Sequence, residues 1–300
     1  MLISIITGTY NSKEFIHNTI KCIKEQTLKD WECILVDDGS CDGTVEILEK
    51  ICLEDARFRL ICKKPEGSPG RSRNVGLKAA KGAYAAFCDH DDFWAPDKLE
   101  IQWQAFQKYK DAAIVHTMRE ICYDKTPKGP LPRFKAQEDS FELQPVKKAL
   151  YGGCKITHSS VMAPLALIKK VGYFHEDVHA VDDYHLYLWL SRLGPIVRVK
   201  LPLTYYYFHD ENLSMKDAVI FKGLAGMARI LQEQKAPQKW VDIVKAQSLK
   251  SEGVYLLDRN PKKAVLALMS SLKTDFRLRS FAIWVYALLK LFIPPLRKTV

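Results

Sequence analysis

Three carboxylates stand within four residues at Asp89-His90-Asp91-Asp92. Charges this close repel one another unless a cation or solvent screens them. Hard oxygen ligands suit Mg2+ or Mn2+, which keep few protein ligands and complete their shells with water and phosphate oxygens. The alternative from these residues alone is an exposed acidic turn capping a helix that starts near Pro96, since Pro is favoured at a first helical position. A calcium loop fits poorly. Its register from Asp89 puts Glu100 at the last ligand position, but Phe93 and Trp94 where an oxygen ligand and a glycine belong.

Two further loops have residue types that could hold a nucleoside. Thr7-Gly8-Thr9-Tyr10-Asn11 and Val36-Asp37-Asp38-Gly39-Ser40 each follow an apolar run. A carboxylate there could accept from a base N–H, and Tyr10 offers a stacking face; Asp-Gly and Ser are equally ordinary turn and cap residues. Gly67-Ser68-Pro69-Gly70-Arg71-Ser72-Arg73-Asn74 could attract a diphosphate through backbone N–H groups and two arginines, although it lacks the P-loop ending. His175-Glu176-Asp177-Val178-His179 matches the H-E-x-x-H pattern of zinc proteases, but that chemistry needs a helix. No apolar helical face leads into it after Gly172, so a loop is expected.

These loops need a scaffold. Apolar, β-branched runs at Leu2–Ile6, Cys33–Val36, Phe58–Cys62, Ala83–Cys88 and Ala113–His116 are expected strands, and helical patterns lie near 13–26, 43–54, 71–80 and 96–109. Such alternation implies an α/β fold with a largely parallel, helix-covered sheet. Ligands collect at the carboxyl ends of strands in such sheets, where the acidic clusters fall. Residues 124–145, with Pro127, Pro130 and Pro132, predict a long loop or flap. Strands near Ser159–Ala163, Val197–Leu201 and Thr204–Phe208, and a helix over about 183–193, follow. The pattern is helical after Leu213, with turns around Pro237 and Asn260-Pro261.

In order, these segments resemble the family 2 glycosyltransferases with the GT-A fold. The likeness runs from residue 2 to about 215, through Ser4 to Asn11, Val36 to Ser40, Arg73-Asn74-Val75-Gly76 and Asp89 to Asp92. It continues in Gly153, His158 to Met162, Val171 to Phe174, Asp182-Asp183-Tyr184-His185-Leu186 and His209 to Ser214. The resemblance implies a Rossmann-like mixed sheet flanked by helices over 1–215, with a C-terminal helical extension over 216–300. It implies an inverting enzyme moving a sugar from a nucleoside-diphosphate donor, UDP by preference, to a hydroxyl of a glycan or lipid-linked acceptor, with Mn2+ or Mg2+. Residue by residue, it assigns Asp183 as the base and Thr7, Thr9, Tyr10, Asp37, Asp38, Arg73, Asp89 and His90 to the donor. Gly153, His158 and Asp182 go to the acceptor side, and Asp89, Asp91 and His209 to the metal. Asp182 stands where Glu is usual, and His90 where Ala or Ser is usual.

Composition sets the outer bounds: 47% hydrophobic and 27% charged residues in a chain of 300 describe an ordinary folded protein. The net charge of +10 comes wholly from the end of the chain. Residues 216–300 hold 16 basic and 6 acidic side chains, leaving 29 of each before them. A nucleic-acid or polyanion-binding module is therefore disfavoured for the neutral first part, and no nucleic-acid partner is expected. A nucleotidyltransferase would want a basic, Gly-rich loop after the first strand, which Thr7 to Asn11 is not. Eight cysteines without a C-x-x-C pair suit buried thiols in a reducing compartment, and the first residues lack the marks of a secretory signal. A cytoplasmic chain is expected, at the inner face of the membrane if residues 277–298 bind lipid. That apolar, aromatic run, with Arg277, Arg279, Lys290, Arg297 and Lys298, is too short to span a bilayer and suits either an anionic surface or the tail's own core.

Overall fold

The computed structural model describes residues 2–125, 129–275 and 278–292. They fall into two compact units. The first comprises Met1–Leu150, Cys154–Glu176 and Asp182–His209, and the second Tyr151–Gly153, Asp177–Val181 and Asp210–Val300.

In the first unit, β1 (Ile3–Thr9), β2 (Trp31–Asp37), β3 (Phe58–Cys62) and β4 (Tyr84–Phe87) pair in parallel. β5 (Phe93–Trp94), β6 (Ile114–Cys122), β7 (Phe141–Gln144), β8 (Val161–Pro164) and β9 (Ile196–Tyr207) complete one sheet of order 3-2-1-4-8-6-9-5, with β7 also on β9. β8 runs antiparallel to β4 and β6, so β6 and β9 again point the same way as β1 and β4. The sheet is therefore mixed. The central strands are buried on both faces: Ile5, Cys33 and Ala86 face one side and Ile6, Ile34 and Ala85 the other, which explains their near-continuous apolar runs.

Helices α1 (Ile16–Lys24), α2 (Thr44–Glu54), α3 (Pro69–Ala79) and α4 (Lys98–Lys108) connect these strands. α3 approaches the sheet closely because of one glycine. A Cβ on Gly76 would stand 2.9 Å from Ile6 Cγ2 and 3.2 Å from Val36 Cγ2.

Three expectations change. The stretch 124–145 is not all loop: Phe141–Gln144 pairs antiparallel with β9, a partner that its proline- and lysine-rich surroundings conceal. β5 was not expected and is held by β9 at Tyr205 and Thr204. The strands expected at 197–201 and 204–208 are one strand, with Pro202 at a register irregularity opposite Met118, where a missing N–H is tolerated.

After α5 (Val146–Ala149), α6 (Leu165–Lys170) and α7 (Asp182–Leu190), the second unit holds α8 (Asp217–Glu233), α9 (Gln238–Leu256), α10 (Pro261–Thr274) and α11 (Leu278–Phe292). Each packs on the next. Asn260 caps α10 by accepting from the Lys263 N–H at 3.1 Å. α11 buries Ala287 and leaves Phe281, Tyr286 and Leu289 exposed. Arg277, Arg297 and Lys298 lie outside the described residues, as do the side chains of Arg279 and Lys290. Among the described residues, no helix is long and apolar enough to cross a membrane.

Candidate active site

The loops after β1 and β2 are zipped together by their own polar residues. Asn11, at φ 46°, takes the left-handed conformation that Asn tolerates. Its N–H donates to Ser40 Oγ at 2.8 Å, and its Oδ1 accepts from the Cys41 N–H at 3.0 Å. Asp37 is fully buried and accepts from Thr9 Oγ1 and from the Gly39 and Ser40 N–H groups at 2.8–3.0 Å. Asp38 pairs with Lys63 and accepts from the Glu66 and Gly67 N–H groups at 3.0 and 2.8 Å. Both carboxylates thus hold the loops in shape. Tyr10 is 55% exposed, whereas Thr7 is fully buried within the sheet layer.

Arg73, on α3, joins the loop after β4 to the start of α7. Its guanidinium donates to Asp89 Oδ1 and to Asp182 Oδ2, each at 2.9 Å. Burial would raise Asp89, yet the Arg73 charge and hydrogen bond, with His158 and His90 nearby, together outweigh it and hold this carboxyl at about 2. Space for Asp182 comes from Gly70, where a Cβ would meet Asp182 Oδ2 at 3.0 Å. Asn74, one residue on, clamps the chain ahead of α7: its side chain donates to Phe174 O at 2.9 Å and accepts from the Phe174 N–H at 3.0 Å.

Asp183 opens α7 beside Asp182, and acidic residues in a first turn suit the helix dipole. Its Oδ1 accepts from the Tyr184 N–H at 2.7 Å. Burial, reinforced by the Asp182 charge, pushes the Asp183 carboxyl up to about 7, against the pull of Arg73. A carboxyl tuned near neutral pH is the property expected of a general base. His158 is buried beneath this region, its ring 4.5 Å from that of Phe87 and its Nδ1 2.7 Å from the Tyr187 hydroxyl. Burial, aided by Arg73, lowers it to about 3, so it is a neutral packing group.

On the other side of the acidic loop, His209 Nε2 lies 3.0 Å from Asp91 Oδ2. The imidazole stacks against both Phe15 and Tyr207, with ring centroids at 5.1 and 4.9 Å, and those two rings are 5.9 Å from each other. His90 Nδ1 is 3.3 Å from Gly8 O. Asp92 accepts from the Tyr207 N–H at 3.1 Å, and burial, with Asp91 and Asp89 nearby, raises its carboxyl well above the usual range. Among the described residues no three His, Cys, Asp or Glu side chains gather around one point. A carboxylate and an imidazole in contact still fit a hard divalent ion that takes its remaining ligands from water and phosphate oxygens.

A sequence profile described as glycosyl transferase family 2 matches residues 4–165. The chain belongs to that family. TuaG of Bacillus subtilis, named for teichuronic acid biosynthesis, is 33% identical over 153 residues, or 51% of this family 2 chain. The chain spans 60% of that relative's length. Among solved structures, residues 1–349 of S. aureus TarS in complex with UDP-GlcNAc match with a TM-score of 0.64 at 18% identity, covering 97% of this chain and 88% of that one. The mannosyltransferase PcManGT of Pyrobaculum calidifontis, in complex with GDP-Man and Mn2+, matches with a TM-score of 0.61 at 18% identity, over 98% and 81%. The fold is GT-A.

Gly153 falls in the second unit, apart from the rest of the candidate set. His175 to His179 forms turns instead of the helix a zinc protease needs. Several positioning residues escape the sequence. Ser159 accepts from the Asp89 N–H through Oγ (3.0 Å) and from Trp94 Nε1 through its carbonyl (2.8 Å). Lys98, fully buried behind the acidic loop, donates to Gln102 Oε1 at 2.6 Å and faces the Trp94 ring at 3.9 Å. Burial lowers it to about 7. A lysine at a helix start reads as solvated, so no local signal reveals it; Asn74 at least stands inside a motif.

Proposed function

We propose that this family 2 chain is an inverting glycosyltransferase that moves a sugar from a nucleoside-diphosphate donor, UDP-linked, to a hydroxyl of a glycan or lipid-linked acceptor in polysaccharide synthesis. The observation that carries this reading is the single guanidinium of Arg73 joining Asp182 of the helix start to Asp89 of the acidic loop. Next to Asp182 in the first turn of that helix stands Asp183, whose carboxyl is raised to about 7. TarS with UDP-GlcNAc and TuaG supply the analogy for donor and polymer.

Asp183 takes the proton of the acceptor hydroxyl as that oxygen attacks the anomeric carbon, and a single displacement inverts the configuration there. Asp182 and Arg73 keep that carboxyl oriented. Tyr10 and the loop shaped by Thr9, Asp37 and Asp38 receive the nucleoside, Thr7 supports them from within the sheet, and His90 borders the sugar. His158 packs beneath the acceptor side. Asp91 and His209, with Asp89 from the same loop, would hold Mn2+ or Mg2+, which when bound neutralises charge gathering on the diphosphate. Residues 1–215 carry the chemistry. In 216–300 the basic excess and exposed Phe281, Tyr286 and Leu289 support peripheral contact with the inner face of the cell membrane.

Calorimetric titration with UDP, GDP and CDP, with and without Mn2+, tests the donor site; binding of none by the folded protein refutes it. Release of nucleoside diphosphate, with an inverted anomer seen by NMR, tests the reaction. Failure to co-sediment with anionic vesicles at low salt would remove the membrane role.

A further inference from the structure

β6 and β9 continue together beyond the end of β8, with β5 still on the other side of β9 at Thr204 and Tyr205. β8 pairs with β6 only at Val115 and His116, while β6 and β9 stay paired to Cys122 and Tyr207. The register irregularity around Met118 in this parallel ribbon follows the last residue of β6 that pairs with β8. Alternate residues of a strand share a face, and the register sets Ile121 opposite Tyr206. Arg119, Ile121, Tyr123, Tyr206 and Phe208 therefore line one side.

That side is mostly apolar, with Ile121 and Tyr123 exposed and Tyr206 and Phe208 half-buried. Ile121 is 45% exposed and Tyr123 73%. The Tyr123 and Phe208 rings meet edge to face at 5.7 Å, and the Arg119 guanidinium lies 5.3 Å from the Tyr206 ring. Exposed aromatic surface on a rigid strand pair marks a binding face. The patch is also continuous with the acceptor side. Arg119 Nη1 donates to Thr157 Oγ1 at 3.0 Å, directly before His158.

We propose that this ribbon face is an acceptor subsite that carries a pyranose chain leading away from Asp183. The C–H faces of successive sugar rings lie on Tyr123, Tyr206 and Phe208, and Arg119 donates to ring substituents. The subsite rests on the glycosyltransferase reading above. Flat aromatic rings beside a guanidinium fit sugar rings, which present both apolar C–H faces and hydroxyl acceptors, better than they fit lipid tails.

The test is calorimetric titration of the full chain with chitohexaose and with a hyaluronan hexasaccharide, as neutral and anionic pyranose probes, alongside UDP with Mn2+. At least one hexasaccharide should bind the wild type. Tyr123→Ala and Arg119→Gln should each weaken it about five- to tenfold, while Tyr123→Phe retains it and UDP affinity stays within about twofold. No binding of either probe by the wild type, or unchanged binding in both variants, would overturn the proposal. Self-association of the wild type that Tyr123→Ala abolishes would assign the face to a second copy and overturn it equally. Loss of UDP binding in the wild type would instead refute the donor reading, so the two failures are distinct.

Discussion

Replacing Asp183 by Asn separates what this residue does for the chemistry from what it costs the fold. Its carboxyl is pushed from the ordinary 3.8 to about 7, first by burial and then by Asp182. The folded chain thus holds the protonated form more tightly than the unfolded chain does. Stability associated with Asp183 is fully present below about pH 4 and is lost as pH rises to about 7, beyond which the loss is constant. At about 1.36 kcal/mol per pH unit, the span corresponds to an upper figure of about 4 kcal/mol. Asn has no proton to lose. Urea unfolding of wild type and Asp183→Asn at pH 4, 5.5, 7 and 8.5 should show equal stability at the lowest pH, and a variant more stable by up to about 4 kcal/mol at pH 7 and above. Sugar transfer by the variant should fall by about a hundredfold or more, with nucleotide binding retained. A stability gap that does not change with pH would refute the perturbed carboxyl, and near-normal transfer would remove Asp183 from the mechanism.

Arg73→Met leaves Asp89 and Asp182 facing each other without their counterion and should destabilise the fold by about 3–5 kcal/mol, read from the urea midpoint. The Asp89 carboxyl, now held at about 2, contributes stability that is present above its ordinary range and is lost as pH falls toward 2; in Arg73→Met this acid-side slope should shrink. Gly76→Ala places a methyl 2.9 Å from Ile6 Cγ2 and should cost about 1–3 kcal/mol, visible as a lower Tm by calorimetry. His209→Ala breaks the pair with Asp91 and should weaken Mn2+ binding in the presence of UDP by about tenfold or more, followed by the EPR signal of free Mn2+. Unchanged metal affinity would take His209 out of the metal set.

Local patterns were enough for the order of elements in the first half of the chain. The apolar run Phe58–Cys62 is a strand with the expected bounds, and the helix expected at 43–54 spans Thr44–Glu54. Periodicity and turn residues act over a few positions, so a single sequence displays them. β5 and β7 were missed because each is short and owes its conformation to β9. Pairing, not propensity, makes them strands.

Residue type marked the candidate chemistry: acidic clusters at strand ends, an arginine at a helix start and a carboxylate pair opening a helix. Their arrangement was not written locally. Arg73 and Asp182 are 109 positions apart, and only the approach of α3, permitted by Gly70 and Gly76, brings them together. The same sequence letters gave Asp89 a carboxyl at about 2 and Asp183 one at about 7, since a pKa depends on the charges and solvent that folding sets around it. Aspartate at positions 89 and 183 was legible from the chain; which of them stays ionised and which is poised to take a proton was settled by distance and burial in three dimensions.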